Sequence, residues 1–385
     1  MSDAVGIGVV GAGMISQRGI LPHLSQDDIR DRVRLAAVCD VTPGRAQASA
    51  ERYAIPKAYE RYEDLLADPD VHMVTIATPI GLHHEHGKQA LEAGKHVHAN
   101  KTMTTTVAEA DDLIATAEAK GLHISASPGE VLRPQVTRIR ELIAEGAIGD
   151  LAWAICGTSL GTYHEEEEAE ARASAPGGTP IDPSWYFRKP GGGPMYDAAV
   201  YPLHQVTSVL GPAKRVTALS GTVMDRREFL GSSIEALADD NTMLLLGYDD
   251  GAHVVVHGTV AGSLIEDFGA GLYFGTEGSI HGLILNGEPF DFPGREETLG
   301  APTWDWETQM RVLPHVVGPH REIAESAVFE DIMQVAELVR TGRHTPMTAE
   351  HARHVIEIIQ AADAAAESGR TQELRTTFEF PPRFA

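Results

Sequence analysis

The sequence predicts two units: an α/β domain built on a doubly wound parallel sheet over residues 1–127, and an α+β domain with a large, mostly antiparallel open sheet over residues 128–385. Three observations carry this reading. Strand-length apolar runs alternate with helical segments of about ten residues through the first third of the chain, which is the pattern of parallel strands joined by crossovers. A glycine turn follows the first apolar run at once, in Gly11-Ala12-Gly13-Met14-Ile15-Ser16. Past about Pro128, strand-like runs follow one another directly, as antiparallel strands do. The length of 385 residues also exceeds one ordinary core.

Taken in order, Val5–Val10 is the first strand, and the turn after it opens a helix to about Leu24. Two glycines let a backbone approach a pyrophosphate, and the helix start supplies amide donors, so Gly11, Gly13, Met14 and Ile15 are candidate dinucleotide contacts. Val33–Cys39 is the second strand, and Asp40 ends it. An acid there accepts from a ribose diol and repels a 2′-phosphate, which predicts NAD, with NADP as the alternative. Arg45 is close enough in sequence to offset part of that repulsion, and a turn or N-cap role is the alternative for Asp40. Helices Gly44–Tyr53 and Tyr62–Ala67, strand Val71–Ala77, helix His83–Glu92, strand Lys95–Ala99, helix Val107–Lys120 and strand Leu122–Ala126 complete the alternation. Ligands sit at the carboxyl ends of such strands. That puts Thr78, Pro79 and His83, and then Asn100-Lys101-Thr102, beside the dinucleotide.

After Pro128 a helix near Leu132–Glu145, a strand Leu151–Gly157 and a long irregular piece to Pro190 follow. The irregular piece carries His164 and the acidic run Glu165–Glu168, read as a solvated surface: consecutive carboxylates point different ways and no second ligand cluster accompanies them, so no metal is expected. It ends in Trp185-Tyr186-Phe187-Arg188, which suggests a lid or substrate wall. Gly191-Gly192-Gly193 then leads into a segment whose apolar positions Val200, Leu203, Val206 and Leu210 recur at helical spacing. On one continuous helix, Asp197 and Tyr201 share a face and His204 lies three residues further along it. An acid, a phenol and an imidazole beside a glycine loop read as a proton-handling site. Strands Ala213–Met224, Met243–Tyr248, His253–Val260, Gly271–Phe274 and Ser279–His281 follow, and helices Glu322–Thr341 and Thr348–Glu367 close the chain. The stretch around Trp304 and Trp306 has no readable pattern.

Composition narrows the partners. A formal net charge of −24 argues against nucleic acid and anionic membranes. No apolar run reaches a membrane span and no signal peptide is visible, so the cytoplasm is the expected location. Two cysteines make neither a disulfide framework nor a thiolate metal site.

With these pieces located, the chain resembles the glucose–fructose oxidoreductase / inositol dehydrogenase / rhizopine-catabolism family along nearly its whole length. The landmarks are Gly11-Ala-Gly13 with Asp40, Thr78-Pro79 with His83, Ala90–Val97 running into Lys101, Gly191–Gly193 with Asp197 and Tyr201, and Thr276-Glu277-Gly278. The resemblance implies a Rossmann domain, an open-sheet domain used for oligomerisation, and NAD or NADP as hydride carrier. The family's usual Glu-Lys-Pro reads Asn100-Lys101-Thr102 here, and Tyr201 stands where many members have histidine. That tyrosine resembles the glucose–fructose oxidoreductase and dihydrodiol dehydrogenase branches, where it acts as acid/base.

The sequence thus predicts a dehydrogenase or reductase acting on a secondary hydroxyl or carbonyl of a cyclic sugar, glycoside or polyol. Lys101, Tyr201 and Asp197 are the expected catalytic residues, with Lys101, Asp197, His204, Trp185 and Arg188 on the substrate. Lys101 is expected to lower the Tyr201 pKa and so make a phenolate base. The rival readings are a lyase or glycosidase using transient oxidation by held NAD, and a silent dinucleotide-binding protein. Alternating apolar positions in His253–Val260 leave one sheet face uncovered, which predicts a homodimer or homotetramer.

Overall fold

A computed structural model describes residues 4–161, 169–262, 270–301 and 305–379. The acidic run Glu165–Glu168, His164 and Trp304 lie outside the described residues. The first sheet has six strands: β1 (Val5–Val10), β2 (Val33–Cys39), β3 (Lys57–Tyr59), β4 (Met73–Ile76), β5 (His96–Ala99) and β6 (Ile124–Ala126), in the order β3-β2-β1-β4-β5-β6. All its pairings are parallel. β1 is buried at every position, as expected of a central strand covered on both faces. The strand order reverses at β1, so the crevice lies at the carboxyl ends of β1 and β4. β3 escapes a reading by pattern because it is a three-residue edge strand, half-buried throughout.

The second sheet contains β7 (Leu151–Ser159), β8 (Arg215–Gly221), β11 (Asn241–Gly247), β12 (His253–Thr259), β13 (Leu272–Gly275), β14 (Ser279–His281), β15 (Ile284–Leu285), β16 (Glu288–Pro289) and β17 (Gln372–Glu373). A separate hairpin pairs β9 (Arg226–Phe229) with β10 (Ser232–Glu235). The order β16-β15-β14-β13-β7-β12-β11-β8-β17 is antiparallel except for β7 with β12. Helices Pro134–Ala144, Val200–Leu210 and Ala349–Ser368 cover one face through Ile139, Leu203, Val206, Ile358 and Ile359. The other face is open. It presents Leu219 at 79% exposure, Met243 at 52%, and Leu245 and Trp153 at 44% each. Met243 pairs directly with Leu219, so these two side chains form one patch.

Two prolines redraw the expected helices. Pro134 has no N–H to donate and starts its helix at the first position, so a tight turn, Glu130–Leu132, precedes it where the sequence reading began the helix. The helix expected over 197–210 is two pieces, Pro194–Asp197 and Val200–Leu210. In a continuous helix, Pro202 would clash with the carbonyl of residue 198, and the break falls at Ala198 (φ −120°). Asp197 and Tyr201 therefore sit on either side of a kink.

The last helices bind the two units together. Val328, Phe329, Ile332, Met333 and Ala336 of helix Ser326–Thr341 are buried with Val5, Ile7, Val9 and Leu21 of the first domain. Each of these side chains other than the alanine is worth about 1.5–3 kcal/mol relative to exposure. The division expected at residue 127 is thus crossed by a helix from the end of the chain. Among the described residues, no helix is long and apolar enough to cross a membrane.

Candidate active site

The glycine turn after β1 is built for close approach. Gly11 has φ 91°, and a Cβ there would lie 2.9 Å from the Ala77 carbonyl carbon, so no other residue fits. A Cβ at Gly13 would meet nothing within 4 Å. Protein packing does not demand that glycine, and its absent side chain leaves the backbone open to the kind of approach a diphosphate makes. Ser16, where a third glycine or alanine is usual, is fully buried and donates from Oγ to the Gly11 carbonyl at 2.6 Å. Met14 is buried and Ile15 half-buried at the start of the helix that follows.

At the end of β2, Asp40 Oδ2 accepts from the Ala12 amide and Oδ1 from the Thr42 amide, both at 2.8 Å. The carboxylate is thereby oriented beside the glycine turn, with lone pairs left for a diol. Arg45 Nη1 lies 3.5 Å from Asp40 Oδ1, and its Nη2 donates to the Thr179 carbonyl at 2.9 Å. These features fit an adenosine ribose and pyrophosphate.

After β4 the structure departs from expectation. His83 is buried, with Nε2 2.8 Å from the Thr78 carbonyl and Nδ1 2.7 Å from the Thr102 carbonyl. It is a strut between the loops after β4 and β5. Burial, only partly offset by these carbonyls, lowers its pKa to about 4. Thr78 Oγ1 meets His86 Nδ1 at 3.1 Å, and Pro79 is exposed at the rim.

The two domains meet at Lys101. Its Nζ donates to Asp197 Oδ1 at 2.5 Å and to the Asp197 carbonyl at 2.6 Å, with side-chain exposures of 15% for the lysine and 4% for the aspartate. Burial by itself would depress the ammonium; the Asp197 carboxylate, with Tyr186 and Glu325 behind it, outweighs burial and raises the pKa above the ordinary lysine value. Nζ also lies 5.5 Å from the centroid of the Tyr201 ring. The expected lowering of the phenol pKa is not what the surroundings produce. Burial, followed by the charges of Glu325, Asp197, Glu130 and Asp331, raises Tyr201 well above its ordinary value. At neutral pH the group is a phenol.

Of those acids, Glu325, Glu130 and Asp331 are the part of the site that sequence reading missed. Glu130 is buried in an ion pair with Arg133, and Asp331 Oδ2 accepts from the Gly129 amide at 3.1 Å. Burial raises both carboxyls to about 7, against the opposing pull of Arg133 on Glu130 and of Ser127 and Gly129 on Asp331. Glu325 opens helix Ser326–Thr341 in a left-handed conformation (φ 63°), its amide held by Glu307 Oε1 at 2.8 Å and its carboxylate 3.4 Å from Arg18 Nη2. Gly19 lies so close that any side chain there would strike the Glu325 Cβ. No local pattern marks Glu325, but the helix start at Pro134 marks the residues before it as a turn.

The remaining candidates scatter. His204 packs its ring on His351 at 4.7 Å between centroids, on the side facing helix Ala349–Ser368. Burial, with His354 nearby, lowers its pKa to about 3. It belongs to a buried histidine cluster rather than to the Lys101 pair. Trp185 stacks on Tyr186 at 3.7 Å in the turn Ser184–Phe187, and Arg188 is exposed. The three glycines approach protein closely: Gly191 to Ile80, Gly192 to the Trp185 and Arg188 carbonyls, Gly193 to the Asp239 carbonyl. They also line a cleft of about 340 Å³, together with Thr105, Lys189, Tyr196, Asp239 and Asp363; Lys101, Asp197 and Tyr201 do not line it.

Comparison with known proteins adds an independent line. Residues 5–127 match the model of the oxidoreductase family with an NAD-binding Rossmann fold, and residues 136–281 match the GFO/IDH/MocA C-terminal domain. The chain is 26% identical over 384 residues to scyllo-inositol 2-dehydrogenase (NADP(+)) of Bacillus subtilis (strain 168), covering 96% of each chain. It is 27% identical over 295 residues to trans-1,2-dihydrobenzene-1,2-diol dehydrogenase of Mus musculus, covering 74% of this chain and 79% of that one. Among solved structures, GenD2 from gentamicin A biosynthesis in complex with NAD superposes with a TM-score of 0.72 at 22% identity, over 97% of both chains.

Proposed function

The chain belongs to the GFO/IDH/MocA family of oxidoreductases with an NAD-binding Rossmann domain, and from that premise we propose that it interconverts a secondary hydroxyl and a carbonyl on a cyclic sugar, glycoside or polyol, with NAD preferred over NADP. The observation that supports this most is the Lys101–Asp197 pair at 2.5 Å, joining the carboxyl edge of the dinucleotide sheet to the second domain beside Tyr201. The inositol and dihydrodiol dehydrogenases among its relatives act on ring hydroxyls by their names, which is consistent with the same substrate class here. Asp40 supports NAD, because its oriented carboxylate opposes a 2′-phosphate.

Hydride transfer is the chemistry that a bound nicotinamide supplies. Lys101 stays an ammonium because Asp197 holds it charged, and it donates a hydrogen bond to the substrate oxygen, stabilising the negative charge that grows there. Asp197 orients the ammonium through both its carboxylate and its carbonyl. Tyr201, kept as a phenol by burial and then by the acids around it, gives a proton to that oxygen during reduction and takes one back during oxidation.

The test is a screen of inositols, aldoses, glycosides and their keto derivatives, following reduced nicotinamide absorbance with each dinucleotide. Oxidation or reduction of one ring class with net cofactor turnover supports the reading. Product formation with no net change in free cofactor would instead favour the lyase or glycosidase alternative. Dinucleotide binding with no turnover on any member would favour a silent binding protein.

A further inference from the structure

One stretch of the second domain lies across the mouth of the dinucleotide crevice. Gly177 (φ 82°) rests on the backbone after β2: a Cβ there would meet Arg45 N and Cα at 2.9 Å and the Gly44 carbonyl carbon at 3.1 Å. Just beyond, the Thr179 and Pro180 carbonyls accept from Arg45 Nη2 at 2.9 and 3.4 Å. At the far end of the stretch, a Cβ on Gly191 would meet Ile80 at 3.0 Å and the Gly81 amide nitrogen at 3.2 Å, in the loop after β4. The loops after β2 and β4 flank the glycine turn after β1 on its two sides. A single segment therefore touches both lips of the crevice.

The segment is braced from within. The Ile181 amide donates to the Arg172 carbonyl at 3.0 Å, and Ala175 is buried. The Arg172 guanidinium, 1% exposed, sits 5.3 Å from the centroid of the Tyr186 ring.

We propose that residues 172–191 are a strap closed over the adenosine half of the dinucleotide, with Arg45 as its catch. The proposal rests on the reading of the first domain as an NAD site. Its consequence is twofold. The dinucleotide leaves only when the strap lifts, so release is slow. Arg45, the cation that sequence reasoning would offer to a 2′-phosphate, is 8% exposed and committed to two strap carbonyls and Asp40. To bind a phosphate it must abandon the strap, so NADP is disfavoured by the catch as well as by Asp40.

Gly177→Val tests this, since the added side chain pushes the strap off Arg45 while leaving Asp40, Gly11 and Gly13 untouched. The readouts are the NADH dissociation rate by stopped-flow fluorescence and the equilibrium binding of NADH and NADPH. The expected result is release about tenfold faster or more, the factor one charge-assisted hydrogen bond commands, with a smaller preference for NADH over NADPH. Release within twofold of the parent protein overturns the strap while leaving the NAD site standing. A parent protein that binds neither dinucleotide overturns both. Limited proteolysis of the parent protein gives a second measurement that needs no variant: saturating NADH should protect residues 174–181, and equal cleavage with and without NADH overturns the proposal.

Discussion

Replacing Asp197 with asparagine keeps the shape of the side chain and removes its charge, which isolates the electrostatic half of the Lys101 pair. Both groups are largely buried, at 15% and 4% exposure, so the ammonium is left in a poorly solvated site. Removing one partner of a buried pair costs about 3–5 kcal/mol. Lys101 retains the Asp197 carbonyl at 2.6 Å, which places the expected loss near about 3 kcal/mol. The sign follows from linkage. In the parent protein the raised Lys101 pKa gives stability that is present below the unfolded lysine value and lost as pH climbs through the folded one. In Asp197→Asn the burial that opposes the charge has no carboxylate against it, so the pKa drops, by one unit for every ~1.36 kcal/mol of pairing lost. Stability at neutral pH should fall, and the deficit should shrink as pH rises and the lysine sheds its proton. Urea unfolding at pH 7 and pH 9.5, beside a pH profile of turnover, measures both. Parent-like stability, within about 1 kcal/mol, with an unshifted profile would refute the claim that this pair holds the lysine charged.

Tyr201→Phe should leave dinucleotide affinity unchanged and lower turnover by about 10²–10⁴-fold, the range of general acid–base catalysis, read from steady-state kinetics beside NADH titration. Glu325→Gln removes the foremost charge raising the phenol, so the limb of the pH–rate profile that belongs to Tyr201 should move to lower pH; an unmoved limb separates the two residues. Glu130→Gln should flatten the dependence of stability on pH: the carboxyl binds its proton up to about 7 when folded and to about 4.5 when unfolded, so it lowers stability progressively as pH rises between those values. Thermal melts at pH 4.5 and 7.5 measure the difference. Leu219→Glu with Met243→Lys places charges on the open sheet face, and sedimentation should show the parent chain as a dimer or larger and the variant as a monomer.

How much was legible in the sequence depends on whether the cause is local. Gly11, Asp40 and Lys101 were readable because each follows a buried strand, and the ends of parallel strands converge by topology. The split of the 194–210 segment was readable too, since Pro202 forbids the hydrogen bond that a continuous helix needs, but apolar spacing masked it. His204 was misjudged for a different reason. Spacing gives a helix face, yet which neighbour covers that face depends on helix Ala349–Ser368, some 150 residues away. Glu325 and the buried acids around Tyr201 were invisible for the same cause, because their sequence neighbours carry no sign of what they meet across the fold.

Helix Ser326–Thr341 has a further consequence, for the order of events during synthesis. Phe329 stacks on His23 at 4.5 Å between centroids, across 306 residues of chain, and the same helix completes the apolar layer on β1. A ribosome working at about 5–20 residues per second needs roughly 15–60 s to deliver it after the glycine turn has emerged. Through that interval the nascent first domain holds Val5, Ile7, Val9 and Leu21 without part of their native cover, the kind of transient apolar exposure that makes folding chains aggregation-prone. The dinucleotide site is therefore among the last parts of the molecule to mature, although its defining residues are translated first. Pulse proteolysis of stalled nascent chains can time this, and full protection of residues 5–127 before residue 341 has left the exit tunnel would contradict it.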